Sequence, residues 1–143
     1  MATERTAEAV WHGSLTEGEG TILSTTSGVL GPLPVSWASR AEEPNGKTSP
    51  EELIAAAHAS CFSMELSHLI GEAGFTAETL ETSSTVAFQP GVGITTAHLT
   101  VRGTVPGMTE AAFLAAAEAA STSCPVSRAL AGVEITLDAQ FAG

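Results

Sequence analysis

Ser49-Pro-Glu-Glu-Leu-Ile-Ala-Ala-Ala-His-Ala-Ser-Cys61-Phe-Ser-Met64 is the stretch whose reading decides the fold. Ser49 stands where a helix cap should, Pro50 at the first helical position and Glu52 three residues after the cap, the signature of a capping box. The pattern predicts a helix running to about Ala73, where Gly74 stops it. Such a helix has roughly 24 residues and is about 36 Å long. Between Leu53 and Met64 no face carries a charge, so this part is expected to be enclosed on most sides. The uncharged run alone is too short to span a bilayer.

Strand patterns flank this helix. Residues 5–13 and 20–27 read as strands around a turn at Glu17-Gly-Glu-Gly20. Gly31-Pro-Leu-Pro34 breaks the chain, 34–40 reads as a short third strand ending near Arg40, and Glu42–Lys47 is a loop by its turn chemistry. After the helix, 76–88 and 94–105 form a pair about Gln89-Pro-Gly-Val-Gly93. Thr109 caps an alanine-rich helix over 110–121, Pro125 restarts a short helical piece to about Ala131, and 132–141 is a last strand. Hairpins on both sides of a central helix predict an α+β fold with antiparallel sheets, as a single domain over 1–143.

Composition limits the function. The formal net charge of −11, from 16 acidic and 5 basic residues, argues against nucleic acid and against an anionic membrane surface. The N-terminus has no apolar run of signal-peptide type, so a cytoplasmic location is expected. There, stable structural disulfides are uncommon, and two cysteines are expected to be free or cycling. The four histidines are scattered and neither CxxC nor HExxH occurs, so no metal site is expected. His58 reads mainly as a packing or hydrogen-bonding residue.

The chemistry rests on Cys61 and Cys124. Two thiols brought together in a buried pocket are the parts of a thiol–disulfide enzyme. Cys61 lies about three turns into its helix, beyond reach of the dipole, and burial among Ala, Phe and Met opposes its ionisation. An active Cys61 therefore needs an imported cation, and Arg40, just before the loop that leads into the helix, is the best candidate. Cys124 precedes Pro125 at a helix start, where free backbone N–H groups favour a thiolate. On these grounds alone Cys124 is the nucleophile and Cys61 its partner; each cysteine taken singly also reads as an ordinary packed thiol. Glu51 is ten residues before Cys61, roughly 15 Å along the axis, so it cannot touch Cys61 of its own chain. An antiparallel second copy crossing near Ala56 would bring it level, and Ala55, Ala56, Ala57 and Ala59 would permit the close approach of a homodimer.

Taken together, Gly18–Leu30, Ser39-Arg40-Ala41-Glu42, Ser49–Met64 and Cys124-Pro-Val-Ser-Arg-Ala-Leu130 resemble the osmotically inducible protein C / organic hydroperoxide resistance (OsmC/Ohr) family of thiol peroxidases, its OsmC branch in particular. The resemblance implies an OsmC-like fold, with antiparallel sheets wrapping two long central helices in an intertwined homodimer. It assigns Cys61 as the peroxidatic thiolate and Cys124 as the resolving thiol, reversing the order favoured by the dipole. Arg40 would stabilise thiolate and peroxide and Glu51 would orient Arg40, either chain of the dimer supplying the pair. Phe62 and Met64 would contact the substrate, an organic hydroperoxide such as that of a fatty acid, which is reduced to its alcohol in oxidative or osmotic stress defence. No bound cofactor is implied; the reductant would be an external dithiol, with dihydrolipoyl groups on a carrier protein or a small dithiol filling the role. Ala41 departs from the bulkier residue expected after the arginine and bears on pocket width. A thiol-based redox sensor and a non-catalytic dimeric protein binding an apolar ligand are the competing readings.

Overall fold

The N-terminal residues form three short strands in the computed structural model, which describes residues 1–143. Strands β1 (Ala7–His12), β2 (Glu19–Thr25) and β3 (Leu33–Val35) lie in the order β1-β2-β3 with both pairings antiparallel. Gly20 sits between Trp11 and Val35 in this sheet, and a Cβ there would meet the Trp11 ring at 2.6 Å. The third strand is shorter than the sequence predicts. Ser36 accepts the Ser39 N–H at 3.0 Å while the Ser39 side chain takes the Ser36 N–H at 3.0 Å. That reciprocal cap turns the chain into a helix, α1 (Trp37–Ala41), so Arg40 lies in a helical last turn and not at a strand end. The Ser39 hydroxyl also reaches Thr48 O at 3.0 Å, tying α1 to the end of the following loop.

Helix α2 runs from Pro50 to Glu72, close to the predicted span. Only half of its expected capping box forms: the Glu52 N–H donates to Ser49 Oγ at 3.1 Å, but the Glu52 carboxylate accepts from Thr48 Oγ1 at 2.8 Å. Gly74, at φ +91°, ends the helix, and Phe75 N–H bonds back to Ile70 O at 3.1 Å.

Two compact units divide the chain, Met1–Leu53 and Ile54–Gly143. The second contains β4 (Thr79–Gln89), β5 (Gly93–Thr104), α3 (Glu110–Ser123), α4 (Pro125–Ala129) and β6 (Glu134–Phe141) with most of α2. Its sheet has the order β4-β5-β6, and here expectation is corrected: β4 and β5 are antiparallel, but β6 joins β5 in parallel. The crossover that permits this is α3 and α4, which carry the chain back along the sheet.

Phe62, Leu66 and Ile70, four residues apart on α2, are fully buried with Leu99 and Val105 and with Phe113, Ala117 and Ala120 of α3. Each such large apolar side chain contributes roughly 1.5–3 kcal/mol. Gly103 lets α3 come down onto the sheet, since any Cβ there would strike the Phe113 ring. Phe113 in turn packs on Phe141 with ring centroids 5.4 Å apart.

Within one chain, helix α2 is enclosed on the side of Phe62, Leu66 and Ile70. Ala56, Ala57, Ser60 and Met64 are exposed on the chain taken singly. By length and composition the 23-residue helix also qualifies to cross a membrane, which the uncharged run alone would not. Glu65 in its interior accepts a hydrogen bond from Ser123 at 2.9 Å, and Phe62, Leu66 and Ile70 pack in the core.

Candidate active site

The first unit holds the predicted cation and its acid together. Arg40 Nε donates to Glu51 Oε1 at 3.0 Å and Nη2 donates to Oε2 at 2.9 Å, a two-pronged pair that fixes the guanidinium plane. Glu51 is 6% exposed and lies in the first turn of α2, where its charge is favoured by the helix end. Arg40 borders a mostly apolar hollow of about 340 Å³ whose walls include Trp11, Leu15, Trp37 and Pro50. Ala41 closes α1 beside it, half-buried.

The second unit brings the two thiols together. Cys61 is half-buried and unbridged, and the thiol of Cys124, fully buried, is its neighbour. Burial pushes the Cys61 thiol up from its ordinary value; the backbone N–H of Val126 works the other way, and Cys124 and the charge of Glu65 add to the rise. The surroundings of Cys61 in this unit therefore favour the inert thiol, as the sequence argument anticipated. Cys61 opens onto a hollow of about 400 Å³ lined by Ser60, Met64, Glu65 and Pro125.

Of the two expected substrate contacts, Met64 lines that hollow and is 71% exposed. Phe62 is fully buried in the core instead, because it lies on the opposite side of α2 with Leu66 and Ile70. Phe62 is therefore a packing residue here.

Cys124 caps α4: the Ser127 N–H donates to its sulfur at 3.3 Å, and its thiol donates to Ser127 Oγ at 3.2 Å. Ser127 Oγ lies 2.7 Å from His58 Nε2. His58 is fully buried, its Nδ1 has no partner, and burial lowers its pKa from the ordinary 6.5. The sequence reading gave His58 a hydrogen-bonding role but missed Ser127. The available signal was the three-residue spacing from Cys124, which puts Ser127 in position to bond a capping side chain. The other histidines lie elsewhere: His98 bonds Thr136 at 2.6 Å, and His68 faces Glu72 at 3.3 Å.

Known proteins resemble this chain over nearly its whole length. The family model described as OsmC-like protein matches residues 43–138. Peroxiredoxin OsmC of Escherichia coli (strain K12) is 43% identical over 144 residues, covering 99% of both chains, and the Shigella flexneri protein of the same name matches equally. Among solved structures, an organic hydroperoxide resistance protein OsmC of Legionella pneumophila aligns with a TM-score of 0.66 and 26% identity, over 94% of this chain and 96% of that one. An OsmC-like protein of Mycoplasma pneumoniae shares the fold at a TM-score of 0.74 and 15% identity, covering both chains completely.

Proposed function

The chain belongs to the OsmC-like protein family, and from that premise we propose that it is a thiol peroxidase that reduces organic hydroperoxides to alcohols in stress defence. The observation that carries the reading is the pairing of Cys61, at an apolar opening, with the buried Cys124 thiol. The name peroxiredoxin, borne by relatives 43% identical over nearly the whole chain, supports peroxide chemistry. The hydroperoxide resistance named for the Legionella pneumophila protein supports an organic substrate.

In this reading residues 1–143 act as one OsmC-like domain, and two copies make the working enzyme. The exposed strip of small residues on α2, with Met64 beside it, is the surface a second copy covers. Glu51 precedes Cys61 by ten residues on one helix, too far to serve its own sulfur. An antiparallel partner helix therefore supplies Arg40 and Glu51 as a unit to Cys61. The guanidinium offsets the desolvation that keeps the thiol protonated.

The Cys61 thiolate attacks the distal oxygen of the hydroperoxide. A sulfur–oxygen bond forms, the oxygen–oxygen bond breaks, and the alkoxide leaves as the alcohol on taking a proton. Arg40 stabilises charge on both the thiolate and the departing oxygen. Cys124 then displaces the sulfenic hydroxyl to form the Cys61–Cys124 disulfide and water. An external dithiol reduces this bridge by exchange, becoming a disulfide itself. Dihydrolipoyl groups, free or on a carrier protein, fill that role, in a cytoplasm that keeps thiols reduced. The apolar wall at Met64 suits a fatty-acid or other organic hydroperoxide better than hydrogen peroxide.

Stopped-flow consumption of cumene hydroperoxide with dihydrolipoamide, beside the same assay with hydrogen peroxide, tests this. Rapid turnover with preference for the organic substrate is expected. Slow oxidation that stops at one equivalent would favour a redox sensor. Absence of any reaction at Cys61 would favour a binding protein.

A further inference from the structure

Closing the disulfide requires that the proton of Cys124 go somewhere. Cys124 has no solvent exposure, so bulk water cannot collect it directly. Its thiol proton points to Ser127 Oγ at 3.2 Å, and Ser127 Oγ lies 2.7 Å from His58 Nε2. Three groups thus form one continuous buried line: Cys124 at 0%, Ser127 at 4% and His58 at 0% exposure.

We infer that Ser127 and His58 form a proton relay that activates the resolving thiol, acting as positioning residues for the second chemical step. The inference rests on the peroxidase reading above. The Cys124 proton moves to Ser127 Oγ as the hydroxyl proton of Ser127 moves to His58 Nε2. The Cys124 sulfur bonds to the Cys61 sulfur, the sulfur–oxygen bond of the sulfenic acid breaks, and hydroxide departs. The proton held on His58 returns along the same line, and the hydroxide leaves as water. Atoms and charge balance, and no further reactant is needed.

A purely structural role for His58 fits the structure poorly. Its Nδ1 is buried without a partner, and a stranded polar atom costs about 1–3 kcal/mol, which an apolar side chain would avoid. The site keeps the imidazole despite that cost. Burial also disfavours the protonated ring, so at rest the imidazole is neutral, and a proton taken up during the step is readily given back. The titratable groups around this line are Cys61, Cys124 and, toward Cys61, Glu65. Glu65 acts on Cys61 and accepts from Ser123, whereas the Cys124 thiol donates to Ser127.

The test is a single turnover of the full chain with one equivalent of cumene hydroperoxide. The peroxide phase is read by hydroperoxide loss, and the disulfide phase by quenching, alkylation and intact mass. In Ser127→Ala and His58→Gln the disulfide phase is expected to lag about 10²-fold further behind the peroxide phase than in wild type, the low end of what a positioned base supplies. Dimedone should then trap Cys61 sulfenic acid in both. The glutamine amide reaches the place of Nε2 and keeps a hydrogen bond to Ser127 but cannot take its proton, so a structural role would leave His58→Gln near wild type. A wild-type lag in either variant overturns the relay. Should His58→Gln not fold, Ser127→Ala and the wild-type disulfide phase in deuterium oxide decide, and no slowing in either overturns it. Failure of the peroxidase reading looks different: wild type would then lack the peroxide phase altogether.

Discussion

Replacing Glu51 with glutamine tests the active site at its most geometrically defined contact. Glutamine keeps the shape of the side chain but replaces one acceptor oxygen with an amide group whose hydrogens face the guanidinium. The bond from Arg40 Nη2 at 2.9 Å or that from Nε at 3.0 Å is then lost, together with the charge that aligned both. A hydrogen bond to a charged group is worth about 1.5–3 kcal/mol. Glu51 is almost fully buried, which argues for the upper end, but the Arg40 side chain is 33% exposed and regains water, which argues for the lower. Converted at 1.4 kcal/mol per decade, the range predicts a fall of about 10- to 150-fold in the second-order rate with cumene hydroperoxide. Stopped-flow under pseudo-first-order conditions measures this, and iodoacetamide alkylation of Cys61 should slow in parallel as the thiolate loses its cation. Glu52→Gln is the control, because that carboxylate is exposed and bonds only the Thr48 hydroxyl; a change under about twofold is expected. A Glu51→Gln rate within threefold of wild type would refute the claim that this acid positions the arginine.

Other expectations follow the same chemistry. Cys61→Ser should abolish hydroperoxide consumption, whereas Cys124→Ser should keep one stoichiometric burst and lose dithiol-linked turnover, both readable by a peroxide assay. Because burial depresses His58, its contribution to stability is complete above 6.5 and is lost as pH falls through the lower folded value. Urea midpoints at pH 7 and pH 5 should therefore differ less in His58→Asn than in wild type. Gly103→Ala must displace the Phe113 ring and should cost about 1–3 kcal/mol in urea unfolding, with no such loss expected at Gly132, where a Cβ meets nothing and the backbone is not left-handed.

Much of this was readable from the residues alone, and the exceptions have physical causes. Helix α2 and its end at Gly74 followed from Pro50 and uninterrupted helical spacing, since local signals and tertiary packing agree there. The third strand stops at Val35 because Ser36 and Ser39 cap each other, and the β-like run Trp37-Ala-Ser-Arg40 hides a five-residue helix. The parallel pairing of β6 was invisible, because strand direction depends on the path of α3 and α4 and not on the alternation within Glu134–Phe141. Phe62 and Met64 are two residues apart and differ by about 200° around a helix, so they could never share one pocket wall. The Arg40–Glu51 association was legible only through the family resemblance, whereas the inert character of Cys61 in its own surroundings followed from elementary electrostatics. Ser127 went unnoticed because a serine at helix N3 is unremarkable until a histidine from another element meets it.

The parallel seam between β5 and β6 has a consequence for biosynthesis. Strand β5 is the middle strand of its sheet, yet its second neighbour is synthesised only after α3 and α4. Until Glu134–Phe141 arrives, one margin of β5 stands with its peptide groups unpaired beside Leu99 and Val101. Chains stalled or clipped before that segment would offer this margin to one another, so premature termination should yield insoluble material instead of a shortened enzyme.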